Sequence, residues 1–161
     1  MAAGAYLERV ARTIAALGAH AAVRVDVACD EVALPVETTT SLGLLLTELL
    51  ANALGHAFEG REEGLVRVRL HRLAGGRLRL AVEDDGVGLP EGSRWPEDAR
   101  VPGTEAGAGA CRPGIGGGIV RELAASLGAG LSVVSTPRGT RASIDLDAPA
   151  MAPRRDDAGL P

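Results

Sequence analysis

From residue 42 to residue 58 the chain reads LGLLLTELLANALGHAF, with apolar residues at 42, 45, 46, 49, 50, 53 and 54. Spacings of three and four predict a helix with a broad apolar face. Leu, Ala and Glu favour that conformation, and no Pro interrupts the stretch. Glu48, Asn52 and His56 recur every four residues and so fall in one row along this helix. A carboxylate, an amide and an imidazole are costly to bury on an apolar helix unless something polar meets them. A solvated stripe on a core helix gives the same pattern, so the helix alone leaves both readings open.

The flanking segments carry their own periods. Residues 6–17 place Leu7, Val10, Ala11, Ile14 and Leu17 on one helical face, with Gly18 as the stop. Val23, Val25 and Val27 alternate with Arg24, Asp26 and Ala28, which predicts a half-buried strand. Pro35 and the threonines at 38, 39 and 40 lead into the central helix, where hydroxyls are expected to cap free N–H groups. Val66, Val68 and Leu70 alternate with Arg67, Arg69 and His71. After Ala74-Gly75-Gly76, Leu78, Leu80 and Val82 alternate with Arg77, Arg79 and Ala81, completing a hairpin with one wet and one dry face.

Residues 90–113 show no period and are rich in Gly, Pro, Ala and charge. A long mobile loop is expected there, and Trp95, the only Trp, lies in it. Residues 115–127 predict a third helix, opened by glycines and closed by Gly128. Residues 131–135 and 140–146 predict a second hairpin around Pro137-Arg138-Gly139. Residues 148–161 have the composition of a disordered tail. The order of elements implies an α+β two-layer sandwich, a mainly antiparallel sheet with helices on one face, formed by residues 1–147.

Composition narrows the possibilities. A chain of 161 residues suffices for one domain with a real core, and with 46% hydrophobic but 2% aromatic residues that core is built of Leu, Val, Ile and Ala. A net charge of −4 argues against nucleic acid or an anionic membrane as partner. There is no Lys, so a phosphate must be met by Arg, His, a metal ion or the backbone. Cys29 and Cys111 make neither a disulfide framework nor a metal-ligand spacing and suit a reducing compartment. No apolar run reaches membrane-spanning length, and Glu8, Arg9 and Arg12 interrupt any signal-like pattern. A soluble, cytoplasmic chain with no membrane insertion is expected.

Candidate chemistry gathers after the second hairpin strand. Strand period puts Asp84 on the face of Leu78, Leu80 and Val82, where a carboxylate needs a donor or its pKa rises. An adenine amino group is a suitable donor, although Asp-Gly is also a common turn pair. Gly86 and Gly88 follow and permit unusual backbone angles and close approach of a ligand ring. Gly114, Gly116, Gly117 and Gly118 open the third helix, whose free N–H groups make an anion seat or a simple loop junction. The GK[ST] of a Walker loop is absent, and GIGGGI does not fit a dinucleotide fingerprint.

In this order and spacing the pieces resemble the ATP-binding boxes of the GHKL superfamily, which includes gyrase B subunits, MutL, heat-shock chaperones and histidine kinases. These pieces are Glu48-x-x-x-Asn52, Asp84-x-Gly86-x-Gly88, Gly114-Ile115-Gly116 and Gly139-Thr140. The stretch LPVETTTSLGLLLTELLANALGHAF is similar to the corresponding helix of the HWE-related sensor histidine kinases. The resemblance implies a Bergerat-type fold and the following roles. Asn52 supplies an oxygen to Mg²⁺ on the ATP phosphates, and Glu48 activates the attacking group or orients a water. His56 belongs to the ATP box. Asp84 accepts from the adenine amino group with Thr140 nearby, and Gly86 and Gly88 frame the base. Gly114, Ile115, Gly116 and Gly118 close over the triphosphate, and residues 90–113 form a lid.

The same resemblance implies a protein-histidine kinase that passes the terminal phosphoryl group of ATP to a phosphoacceptor histidine domain, in cis or in trans, with a response regulator downstream. His20 and His71 lack the setting of an acceptor, so no autophosphorylation within this chain is expected. Gly55 stands where many relatives have Lys, and Gly117 where many have Leu, which bears on rate more than on binding. An anti-sigma-factor-type serine kinase shares these boxes, and a degenerate phosphotransferase or scaffold module shares the sandwich.

Overall fold

The computed structural model describes residues 1–18, 22–97 and 116–147. His20, Cys111, Gly114, Ile115, most of the expected lid and the expected tail lie outside the described residues. Helix α1 (Ala3–Leu17) leads to strand β1 (Val23–Cys29), helix α2 (Val36–His56), strands β2 (Gly64–Arg72) and β3 (Arg77–Asp84), helix α3 (Gly116–Ser126) and strands β4 (Gly130–Thr136) and β5 (Gly139–Asp147). The strands form one sheet in the order β1-β2-β3-β5-β4. Only β1 and β2 run parallel; the other neighbours are antiparallel. The expected α+β sandwich is therefore present.

Register explains the layering. Val25, Val66 and Asp84 lie in one cross-strand row, and Val27, Val68, Val82 and Ala142 in the next. The apolar side chains of these rows face the helices and join Leu42, Leu45, Leu46, Leu49 and Leu50 in one core. Burying a leucine of this kind contributes about 1.5–3 kcal/mol, so α2 is the chief source of cohesion. Gly43 lets α1 approach, because a Cβ there would lie 2.7 Å from the Tyr6 ring.

The opposite face is polar and self-neutralising. Asp26, Arg67, Glu83 and Arg141 form one row of alternating sign. Arg79 grips Asp145 through two hydrogen bonds of 2.6 Å. That guanidinium hydrogen bond is the main cause holding the Asp145 carboxyl below its ordinary pKa. Ala81, expected on the wet side, does lie on this face but is buried, with Arg69 and Ser143 as ladder neighbours.

Four expectations are corrected. Helix α2 begins at Val36, six residues before the apolar period starts. The threonines do not cap it. Thr39 Oγ1 donates to the Pro35 carbonyl at 2.9 Å and Thr40 Oγ1 to that of Val36 at 2.8 Å, as mid-helix hydroxyls do. Leu17, assigned to the buried face of α1, is exposed. Trp95, expected in a mobile loop, packs against the core while partly buried.

Candidate functional site

Helix α2 carries the first candidates. Glu48, Asn52 and His56 follow one another at four-residue intervals on a continuous helix, as the spacing predicts. Glu48 and Asn52 are half-buried, whereas His56 is exposed. Among the described residues no hydrogen bond or ion pair engages the Glu48 side chain. The Asn52 side-chain Nδ2 is buried without a partner among the described residues. Leaving a buried amide unmet costs of the order of 1–3 kcal/mol. Turning the amide over exchanges its nitrogen and oxygen, so the helix offers either a donor or an acceptor there. His56 Nδ1 lies 3.8 Å from Glu59 Oε1, at the surface.

Strand β3 delivers Asp84 at its last position, opposite Val66. Its Oδ1 accepts from Gly86 N at 2.9 Å and Thr140 N at 3.2 Å. Among the described residues nothing donates to Oδ2. Burial raises the Asp84 pKa above the ordinary carboxylate value, the two N–H bonds oppose that rise, and Asp85 and Glu83 add to it.

The glycines behave differently from the expectation of a ligand ring packed against them. A Cβ on Gly86 would lie 2.1 Å from the Ala57 carbonyl oxygen. A Cβ on Gly88, whose φ is 77°, would lie 2.1 Å from that of Thr136. Val87 N donates to the Ala57 carbonyl at 2.8 Å. The close approach at both glycines is thus taken by the chain's own backbone. This clasp ties the Asp84 loop to the end of α2, one turn beyond Asn52.

Sequence reasoning missed four participants. Ala57 supplies the clasp. Asp85 Oδ1 accepts from Leu65 N at 2.8 Å, and Arg61 donates to the Asp85 carbonyl. Ser135 Oγ accepts from Leu89 N at 2.7 Å and lies 3.0 Å from Thr140 Oγ1. Counting back across the Pro137-Arg138-Gly139 turn was the one signal that could have set Ser135 opposite Thr140. A cavity of about 420 Å³ adjoins this cluster, lined by Leu89, Trp95, Leu131, Val133 and Ser135 among others. Neither Asp84 nor Asn52 lines it, so it lies beside the polar site and is not its floor.

Helix α3 starts at Gly116, with Gly117 and Gly118 buried in its first turn. Gly114 and Ile115, assigned to the same loop end, lie outside the described residues. Among the described residues no group of three or more His, Cys, Asp or Glu side chains is placed to hold a metal ion. No helix among them is long and apolar enough to cross a membrane.

Comparison with known proteins adds the following. The family model described as histidine kinase-, DNA gyrase B-, and HSP90-like ATPase matches residues 37–150. Blue-light-activated histidine kinase 2 of Erythrobacter litoralis is 41% identical over 143 residues, covering 89% of this chain and 37% of that protein. The aerobic respiration control sensor protein ArcB of Escherichia coli is 31% identical over 129 residues, covering 78% of this chain and 16% of that protein. The chain thus spans well under half the length of these relatives. Among solved structures, a histidine kinase domain of an Erythrobacter litoralis blue-light activated histidine kinase superposes with a TM-score of 0.80 at 39% identity. It covers 92% of this chain and 62% of that one.

Proposed function

Because this chain belongs to the histidine kinase-, DNA gyrase B- and HSP90-like ATPase family, we propose that it is the ATP-binding catalytic domain of a histidine protein kinase. It moves the terminal phosphoryl group of ATP to a histidine on a separate dimerisation and phosphoacceptor domain, in cis or in trans, and a response regulator takes the group from there. Residues 1–147 form the working unit, residues 148–161 are its tail, and it operates in the cytoplasm.

One observation carries this reading. Asp84 holds an acceptor oxygen and Asn52 a buried amide nitrogen that no described residue meets, and the Ala57 clasp joins their two elements. Asp84 Oδ2 accepts from the adenine amino group, with Thr140 beside it, and Gly86 and Gly88 let the loop after Asp84 seat against Ala57 and Thr136, which fixes that carboxylate toward the base. Asn52 fits a Mg²⁺ site in kind: magnesium takes few protein oxygens and fills its shell with phosphate and water. The ion would neutralise charge on the transferring group. Glu48, one turn earlier, activates the attacking imidazole as the new P–N bond forms and the bond to ADP breaks. His56, Gly114, Ile115, Gly116 and Gly118 complete the phosphate end. Catalysis rests on positioning and charge neutralisation. No observation favours the serine-kinase or scaffold alternatives.

The test uses labelled ATP, Mg²⁺ and a separately purified phosphoacceptor domain from a relative. Acid-labile, base-stable label on that domain is the expected result. Acid-stable label would move the assignment to serine, and absence of nucleotide binding at high micromolar concentration would overturn the ATP reading itself.

A further inference from the structure

We propose that Ser135 is a positioning residue for base recognition, holding the Leu89 amide and the Thr140 hydroxyl in one hydrogen-bonded chain so that the Ser135–Thr140 pair offers the site a single donor beside the Asp84 acceptor. The inference rests on the nucleotide reading above and concerns a residue that reading does not use.

Ser135 and Thr140 are register partners on β4 and β5. They lie on the face that carries Leu131, Val133, Ala142 and Ile144 inward. Ser135 Oγ accepts from Leu89 N at 2.7 Å and sits 3.0 Å from Thr140 Oγ1. The two hydroxyls own one hydrogen each. One of these closes the contact between them, and the other is left over whichever oxygen carries it. Among the described residues nothing accepts it. The neighbouring Thr140 N–H fixes Asp84 Oδ1, which leaves Oδ2 as the facing acceptor.

An acceptor at the end of β3 and a donor on the β4–β5 pair are therefore joined through Thr140, whose N–H holds Asp84 and whose hydroxyl meets Ser135. Adenine presents the complement: an exocyclic amino donor next to the N1 acceptor. Guanine presents the reverse, a carbonyl oxygen next to an N1–H, and meets like with like at both points. Ser135 contributes twice. It restrains the Thr140 hydroxyl from free rotation, and it fastens Leu89, which directly follows Gly88 in the loop that frames the base.

The experiment measures Mg²⁺-dependent affinity for ATP and for 1-deaza-ATP, which lacks the N1 acceptor, together with amide exchange at Leu89. The proteins are wild type, Ser135→Ala, Ser135→Thr and Thr140→Val. Wild type should prefer ATP. Ser135→Ala should bind ATP about 3–10-fold more weakly, with a smaller preference over 1-deaza-ATP and faster exchange at Leu89. Ser135→Thr, which keeps a hydroxyl and suits a strand, should restore all three. Thr140→Val should shrink the preference while Leu89 stays protected, and it carries the test if Ser135→Ala does not fold. An unchanged ATP affinity in Ser135→Ala overturns the inference. So does equal weakening for both nucleotides, which makes Ser135 a loop fastener only, or an unchanged preference in Thr140→Val. Wild-type protein that binds no ATP overturns the nucleotide reading underneath, and this inference with it.

Discussion

Thr140 reaches Asp84 across 56 residues of sequence, its backbone N–H 3.2 Å from Oδ1. The contact arises because β5 pairs with β3, and Thr140 falls one step past the Glu83–Arg141 partners. A hydrogen bond of this kind cannot rotate away as a side-chain donor could. It holds one carboxylate oxygen in plane and leaves the other open, in a place where burial works against the charged form.

That conflict sets a pH dependence. The Asp84 pKa is raised in the folded protein, so its contribution to stability is full below the unfolded carboxylate value. It is lost as pH rises through the folded value. Nucleotide binding runs the other way, because the charged carboxylate accepts from an amino group more strongly than the neutral acid does. Asp84→Asn should raise the melting temperature of nucleotide-free protein at neutral pH by roughly 2–4 °C and abolish ATP binding. Calorimetric melts from pH 4 to 8 check the first part and fluorescent ATP titrations the second.

Asn52→Ala should separate binding from folding. The amide nitrogen is buried and has no partner among the described residues, so replacing the side chain with a methyl removes a desolvation cost and loses no hydrogen bond made through that atom to them. The expected result is an unchanged or higher melting temperature with at least about tenfold weaker Mg²⁺-dependent ATP affinity. A large fall in melting temperature would mean that Asn52 serves the fold.

Two glycines should answer substitution in opposite ways. Gly86→Ala drives a methyl into the Ala57 carbonyl and should destabilise by about 2 kcal/mol or more through loss of the clasp. Gly55 has nothing within 4 Å of a built Cβ and lies exposed on α2. Gly55→Lys should stabilise the helix by about 0.5–1 kcal/mol and tighten ATP binding more at low salt than at high salt. Urea melts and salt-dependent titrations distinguish the two.

The open sheet face supplies a control far from nucleotide. Asp145→Asn breaks the two-pronged grip of Arg79 and should lower the melting temperature at neutral pH by about 1–4 °C. The Asp145 pKa is depressed in the folded state, so the wild-type advantage should fade as pH falls through that depressed value. ATP affinity should not change.

What the sequence disclosed follows from how local each feature is. The row of Glu48, Asn52 and His56 needs only the helical repeat, and the inward face of Asp84 only strand alternation; both were legible. The start of α2 was not, because threonines at 38, 39 and 40 suit a cap as well as a helix interior. Their hydroxyls chose the carbonyls of the preceding turn. At Gly86 the sequence implied that something must come close, but tertiary packing alone brings Ala57 there. Ser135 takes Thr140 from a register that only the turn at 137–139 hints at, and Leu89 from the path of the loop after Gly88, which leaves no mark on a serine in LSVVST. Ala81 is buried on an otherwise wet face by neighbours that only the assembled sheet supplies.

The parallel pairing of β1 with β2 gives α2 a second duty. Parallel neighbours cannot be joined by a tight turn, so the segment bearing Glu48 and Asn52 is also the bridge that carries the chain from one strand to the next. Adding or deleting one residue in the helix ahead of Asn52 would swing it by roughly 100° about the axis. Any chimaera assembled from relatives should therefore be spliced outside residues 23–72, which keeps the crossover and both of its strands together.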